Sequence, residues 1–195
     1  CALPIWMIER LIAEHGGAIR GIGISIGGPL DHMDGVVLNF PHLPGWTNIP
    51  LREILSQQFN APAFLDNDAN LGALAEHRLG AAKGLNDMVY VTISSGIGGG
   101  VIIDGRLLHG VGSGAGEIGH VTVAPDGPVC PCGNRGCLEI MASGRSIARR
   151  GREWVRREPE RGTELLRRAG NDPSNITSEL VAACYIDGDP LSTDV

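Results

Sequence analysis

"GAGEIGHVTVAPDGPVCPCGNRGCLE", residues 114–139, holds His120, Cys130, Cys132 and Cys137 in the spacing H-x9-C-x-C-x4-C. Three of the chain's five cysteines fall in this one loop. Thiolate and imidazole are the ligands zinc prefers, and a set of four completes its tetrahedral shell. Pro128, Pro131, Gly133 and Gly136 punctuate the stretch and bend the backbone, so that closely spaced side chains can converge. Disulfides or free thiols compete with the zinc reading. Cys130 and Cys132 stand too near each other to bridge comfortably, and an odd cysteine would be left over. Spacing therefore favours zinc. A shell closed by four protein ligands gives the metal a structural role rather than a water-activating one. Thiols kept intact in this way point to a cytoplasmic setting. Cys1 and Cys184 are isolated and read as small apolar residues.

The loop sits in a chain of 195 residues, 43% hydrophobic and 19% charged, enough for one good-sized domain or two small lobes around a real core. No apolar run reaches the roughly 18 residues of a membrane-spanning helix. The opening "CALPIWMIERLIAEHGG" carries Glu9, Arg10, Glu14 and His15 in its apolar pattern, and reads as an amphipathic helix rather than a secretory signal. A net charge of −6 provides no global basic field for nucleic acid. Nine of the fifteen arginines nevertheless lie between Arg145 and Arg168. Interleaved glutamates and apolar residues make that segment read as solvated helix faces rather than a polyanion site. The chain starts at Cys1 and stops in "GDPLSTDV", which reads as a piece of something longer.

Helical and extended patterns alternate along the chain. A helix is expected up to Gly16-Gly17, then a buried strand in "AIRGIGISIGGPLD" with Ile19, Ile22, Ile24 and Ile26 spaced by small residues. "GVVLNFPHLPGWTNIP" is rich in proline and glycine and is expected to be mostly loop. "LREILSQQFN" reads as a short helix, "APAFLDND" as a strand, and "ANLGALAEHRLGAAKG" as a helix stopping near Gly84. "DMVYVTISSGIGGGVIIDGRLL" reads as two strands joined by a Gly-rich turn.

Three further groups of residues have the chemistry of a site. Asn67 and Asp68 stand where a strand gives way to a helix. Either serves as a helix N-cap, and an aspartate there could equally take the proton of an attacking hydroxyl. Glu117 and His120 are three residues apart, so one helical turn puts them on one face. The Gly-rich turn after Ile93 lets backbone N–H groups approach a phosphate, although a bare tight hairpin fits as well.

Taken together, "GAGEIGHVTVAPDGPVCPCGNRGCLE", "GIGISIGGPLD", "DNDAN" and "SSGIGGG" resemble the ROK family of sugar kinases and sugar-responsive repressors. That resemblance implies an α/β, ribonuclease H-like fold of the actin/hexokinase type, two-lobed and incomplete here, with a zinc loop at 119–139. Residues 1–66 would be the remaining part of one lobe and 67–195 part of the other. It implies that Asp68 is the catalytic base and Asn67 holds the sugar. Glu117, His120 and Glu139 would line the sugar pocket, with one His120 nitrogen on Zn2+ and the other on a sugar hydroxyl. Ser95, Gly96, Gly98, Gly99 and Gly100 match a phosphate loop for ATP with Mg2+, in which threonine usually stands in place of Ser95. His42 replaces an asparagine common in the family, and no sugar contact is assigned to it. The family's Asp-x-Gly-Gly-Thr turn is absent, as is the later adenine-packing segment, as in a chain shortened at each end. The implied activity is ATP-dependent phosphorylation of a hexose or N-acylated hexosamine, typically at the 6-hydroxyl, by a homo-oligomer with no membrane partner. The alternative is a sugar-sensing repressor, which would add nucleic acid as a partner.

Overall fold

The computed structural model describes residues 2–39 and 45–195; His42 lies outside them. Two compact units emerge: residues 1–90 with 100–116, and residues 91–99 with 117–195. Residues 66 and 67 both fall in the first unit, where strand leads straight into helix.

The first unit begins with α1 (Ala2–His15), which stops at Gly16, whose φ of 66° only glycine adopts freely. β1 (Ile22–Ile26) pairs in parallel with β5 (Ala63–Asn67), running from Ile22 opposite Ala63 to Ile26 opposite Asn67. Between them lie β2 (Leu30–Asp31), β3 (Val36–Asn39) and β4 (Thr47–Ile49), an antiparallel sheet in the order β2-β3-β4. Residues 35–50, expected to be mostly loop, carry β3 and β4, and residues 40–44 of that stretch lie outside the described residues. Val37 is 1% exposed and faces Ile49 across the ladder, so burial of one apolar face outweighs the proline and glycine content.

α2 (Leu51–Phe59) seals the unit. Leu30, Val37, Leu51, Leu55, Ala63 and Leu65 form its core, with Ile22, Ile24 and Ile26 packed against them. Burying each of the large aliphatic side chains stabilises the fold by about 2 kcal/mol. α3 (Asp68–Leu79) follows β5 and ends at Gly80, one turn earlier than the expected stop at Gly84.

β6 (Met88–Ile93), β7 (Ile97–Ile103) and β8 (Arg106–Leu108) form a three-stranded sheet rather than the expected pair. The extra turn is Asp104-Gly105, both at positive φ (50° and 70°), the two-residue hairpin geometry that Asp-Gly favours.

In the second unit the cysteine loop leads to α4 (Leu138–Ala142), α5 (Gly144–Arg157), α6 (Thr163–Arg168), α7 (Ser178–Ile186) and α8 (Pro190–Asp194). Val155, Leu165, Ala169, Ile176, Val181, Cys184 and Leu191 make its core, and Cys184 is fully buried there. Four arginines of this region pair with carboxylates: Arg149 with Glu153, Arg167 and Arg168 with Glu164, and Arg161, between α5 and α6, with Glu158 and Asp194, while Arg152 donates to the Ile176 carbonyl. They form ion-paired helix surfaces. Among the described residues no helix is long and apolar enough to cross a membrane.

Candidate functional site

The first unit carries the β5–α3 junction. Asn67, in extended conformation (φ −64°, ψ 143°), is the N-cap of α3. Its Oδ1 accepts from the N–H groups of Ala69 at 2.9 Å and Asn70 at 3.4 Å, which leaves its Nδ2 to donate elsewhere. Asp68 is exposed; Oδ1 accepts from Ala69 N–H at 2.9 Å, and Oδ2 has no protein partner among the described residues.

Ahead of the junction, Asp66 Oδ1 accepts from Asn67 N–H at 2.7 Å and from Asn70 Nδ2 at 3.0 Å. Asn70 is 2% exposed, and its Oδ1 has no partner among the described residues. Gly100 also belongs to this unit. A Cβ there would stand 2.6 Å from Ala73 Cβ and 2.8 Å from the Ala69 carbonyl, so the close approach of β7 to α3 requires glycine.

The second unit carries the cysteine loop. His120, Cys130, Cys132 and Cys137 bring their ligand atoms within 4.8 Å of one another. The Cys132 and Cys137 sulfurs are 3.7 Å apart, and Cys130 Sγ is 3.7 Å from His120 Nδ1. A disulfide needs about 2.05 Å, whereas ligands on tetrahedral zinc at about 2.3 Å sit roughly 3.8 Å apart. The donor set and its spacing therefore fit zinc, with Nδ1 as the histidine ligand.

Backbone hydrogen bonds build this convergence. Cys130 N–H donates to Asn134 O at 2.7 Å and Gly133 N–H to Cys130 O at 2.9 Å, around Gly133 at φ 96°. Gly136 N–H donates to Pro128 O, and Val123 N–H to Gly136 O, closing the loop at its base. Burial, reinforced by the neighbouring thiols, pushes the Cys137 thiol up to about 12. The Asn134 backbone N–H pulls the exposed Cys132 thiol down. Packed without a cation, such thiols compete to hold protons, and a divalent cation reverses that preference.

Glu117 precedes a 3-10 turn, Ile118–His120, so the expected one-turn spacing holds. Glu117 Oε2 lies 3.9 Å from His120 Nε2, the nitrogen turned away from the thiols. Glu139, in the first turn of α4, reaches the hairpin: its Oε2 accepts from Ile97 N–H at 2.9 Å. Ser95 and Gly96 lie in the turn before β7, while Gly98, Gly99 and Gly100 lie within that strand. The turn is pinned from α5, where Gly144 N–H donates to Ser94 O at 2.8 Å.

A family model described as "ROK family" matches residues 5–184. The chain belongs to the ROK family. Its relatives in that family divide between two activities. A glucokinase of Halalkalibacterium halodurans is 40% identical over 155 residues, covering 78% of this chain and 47% of that protein. A xylose repressor of Caldicellulosiruptor bescii is 45% identical over 129 residues, covering 66% of this chain and 32% of that protein. Among solved structures, a ROK family glucokinase from Streptomyces griseus in complex with glucose and AMPPNP matches with a TM-score of 0.79 and 33% identity. That match covers 97% of this chain and 61% of the other. Such ROK sugar kinases have an actin/hexokinase-like fold. The chain thus spans 32% to 61% of the length of these relatives.

Two features of the ROK chain escaped the sequence reading. Glu139 is tied to Ile97, and Asp66 is engaged by groups around the α3 junction. The Asp66 role had a local signal, the carboxylate directly before an Asn-Asp cap. The Glu139 tie had none.

Proposed function

We propose that the protein is an ATP-dependent sugar kinase, phosphorylating a hexose or N-acylated hexosamine, with the 6-hydroxyl as acceptor and Asp68 as general base. The observation that carries this reading is Asp68 itself: exposed at a helix N-terminus, with Oδ1 held by Ala69 N–H and Oδ2 without a protein partner among the described residues. A carboxylate oriented through one oxygen and free at the other can accept a hydroxyl proton as that oxygen attacks phosphorus. Asn67, whose Oδ1 is occupied by capping, would present Nδ2 to a sugar hydroxyl. Oε1 of Glu139, Glu117, and His120 Nε2 would take further hydroxyls, since carboxylates accept them in pairs.

Cys130, Cys132, Cys137 and His120 Nδ1 would hold Zn2+. With four protein ligands the metal fixes the loop and the imidazole's orientation. ATP, accompanied by Mg2+, would approach the turn at Ser95, Gly96 and Gly98; the adjoining Gly99 and Gly100 complete the matched motif. The similarity to a glucokinase bound to an ATP analogue supports this placement. Catalysis would be chiefly positioning of the hydroxyl and the phosphoryl group. The likeness to kinases supports a cytoplasmic setting; the lobe division at 66/67 and a homo-oligomer stand as proposals beside it.

The test is sugar-dependent ADP release by this chain and by the longest product of its reading frame, with Asp68→Ala alongside. Loss of a general base lowers turnover by about 10²–10⁴-fold. Turnover that survives the substitution would overturn the assignment. A sugar-sensing repressor is the second reading, favoured by the 45% identity to a xylose repressor. A helix-turn-helix segment upstream in the reading frame, with sugar-dependent DNA binding and no ADP release, would select it.

A further inference from the structure

In the first unit, Asp66 is the hub of a polar chain. Beside its two bonds to Asn67 N–H and Asn70 Nδ2, its Oδ2 accepts from His109 Nε2 at 2.7 Å. The two side chains are 15% and 22% exposed, so the carboxylate depends on protein donors more than on water. The His109 ring lies flat on His32, with centroids 3.7 Å apart and planes within 4°. His32 Nδ1 is in turn 2.7 Å from Ser113 Oγ. The His32 backbone N–H donates to that same oxygen at 3.3 Å. Ser113 is held at φ 61°, inside a turn flanked by glycines. Segments far apart in sequence, after β2, after β5 and after β8, are thereby fastened to one carboxylate.

We infer that His109 is a positioning residue for the β5–α3 junction, acting through Asp66; the inference rests on the reading of Asp68 as the base. His109 holds Oδ2, which orients Oδ1 on the Asn67 amide and the Asn70 side chain. Those two contacts fix the Asp66–Asn67 peptide and tie it to Asn70 in the first turn of α3, the turn that Asp68 opens. Without His109, the carboxylate turns to water and the peptide loses its anchor. A displacement of about 1 Å at a reacting group lowers the rate by about 10²-fold. His32 and Ser113 support the ring from behind.

The test compares His109→Gln with His109→Ala. The glutamine Nε2 reaches nearly where the imidazole Nε2 stands and still donates; alanine does not. In amide hydrogen exchange on this chain, His109→Ala speeds exchange at Ala69 and Asn70 by about tenfold, and His109→Gln by less than about threefold. In turnover, His109→Ala lowers kcat by about 10²-fold with sugar KM within about threefold, and His109→Gln restores most of it. His109→Asn, polar but too short to reach Asp66, replaces the alanine variant if that fails to fold. An alanine or asparagine variant that matches the unsubstituted chain, or a glutamine variant as impaired as alanine, overturns the inference. If the unsubstituted protein shows no turnover, the kinase reading fails, and the exchange measurement alone decides the role of His109.

Discussion

The Glu139 carboxylate accepts a hydrogen bond from the Ile97 backbone N–H at 2.9 Å, joining residues 42 apart in the chain. Ile97 is 6% exposed, so its N–H has little recourse to water if that partner is removed. Leaving a buried donor unpaired costs about 1–3 kcal/mol. Glu139→Ala should lower stability to urea by that amount. Glu139→Gln retains a carbonyl acceptor and should lose less than about 1 kcal/mol. Equal loss in both variants would show that the bond contributes nothing.

The chain should bind one equivalent of zinc through His120, Cys130, Cys132 and Cys137. Cys137→Ser should lose the metal on gel filtration, measured by elemental analysis, while Cys184→Ser should retain it. With the Cys137 thiol pushed up to about 12, metal must displace a proton to bind. Zinc affinity should therefore fall as pH is lowered, and metal loading should release protons. A pH-independent affinity, by competition with a chromogenic chelator, would contradict thiolate ligation.

Gly136 is held at φ 57°, and a Cβ there would collide with the Ala124 carbonyl. Both the left-handed backbone and the backbone contact oppose a side chain. Gly136→Ala should cost more than about 1 kcal/mol and weaken zinc retention together. Gly133→Ala, at φ 96° but with open space around the position, should cost less than Gly136→Ala. Thermal denaturation of the two variants decides it.

Glu164 accepts hydrogen bonds from Arg167 at 2.8 Å and Arg168 at 2.6 Å. The Arg167 bonds first, then that of Arg168, hold its carboxyl down at about 2, below its ordinary value of 4.5. The folded value is the lower one, so the stabilisation is complete above about pH 4.5 and disappears as pH falls towards 2. Melting temperature followed across this window should decline less steeply in Glu164→Gln. High salt should shrink the difference, because the cluster is open to solvent.

Local chemistry made the cysteine loop legible. Zinc accepts few ligand types, so three cysteines and a histidine at close spacing leave few arrangements, and the four converge in the folded loop. The helix ends at Gly16 and the cap at Asn67 were readable for the same reason. Sequence failed where local and tertiary preferences conflicted. β3 and β4 form in a segment rich in proline and glycine, because Val37 and Ile49 share a buried ladder.

By itself, then, the sequence determined what depends on residue type and short spacing: the convergent Cys/His cluster, the strand-to-helix junction at Asn67–Asp68, and membership in the ROK family. Only the tertiary structure decided which glycines serve packing, as Gly100 does against α3, and which polar groups hold those residues in place. Glu139 meets Ile97, and His109 meets Asp66, across gaps of 42 and 43 residues. No periodicity encodes such pairs. They exist because packing of the surrounding apolar elements brings distant segments together, and polar atoms enclosed there need hydrogen-bond partners.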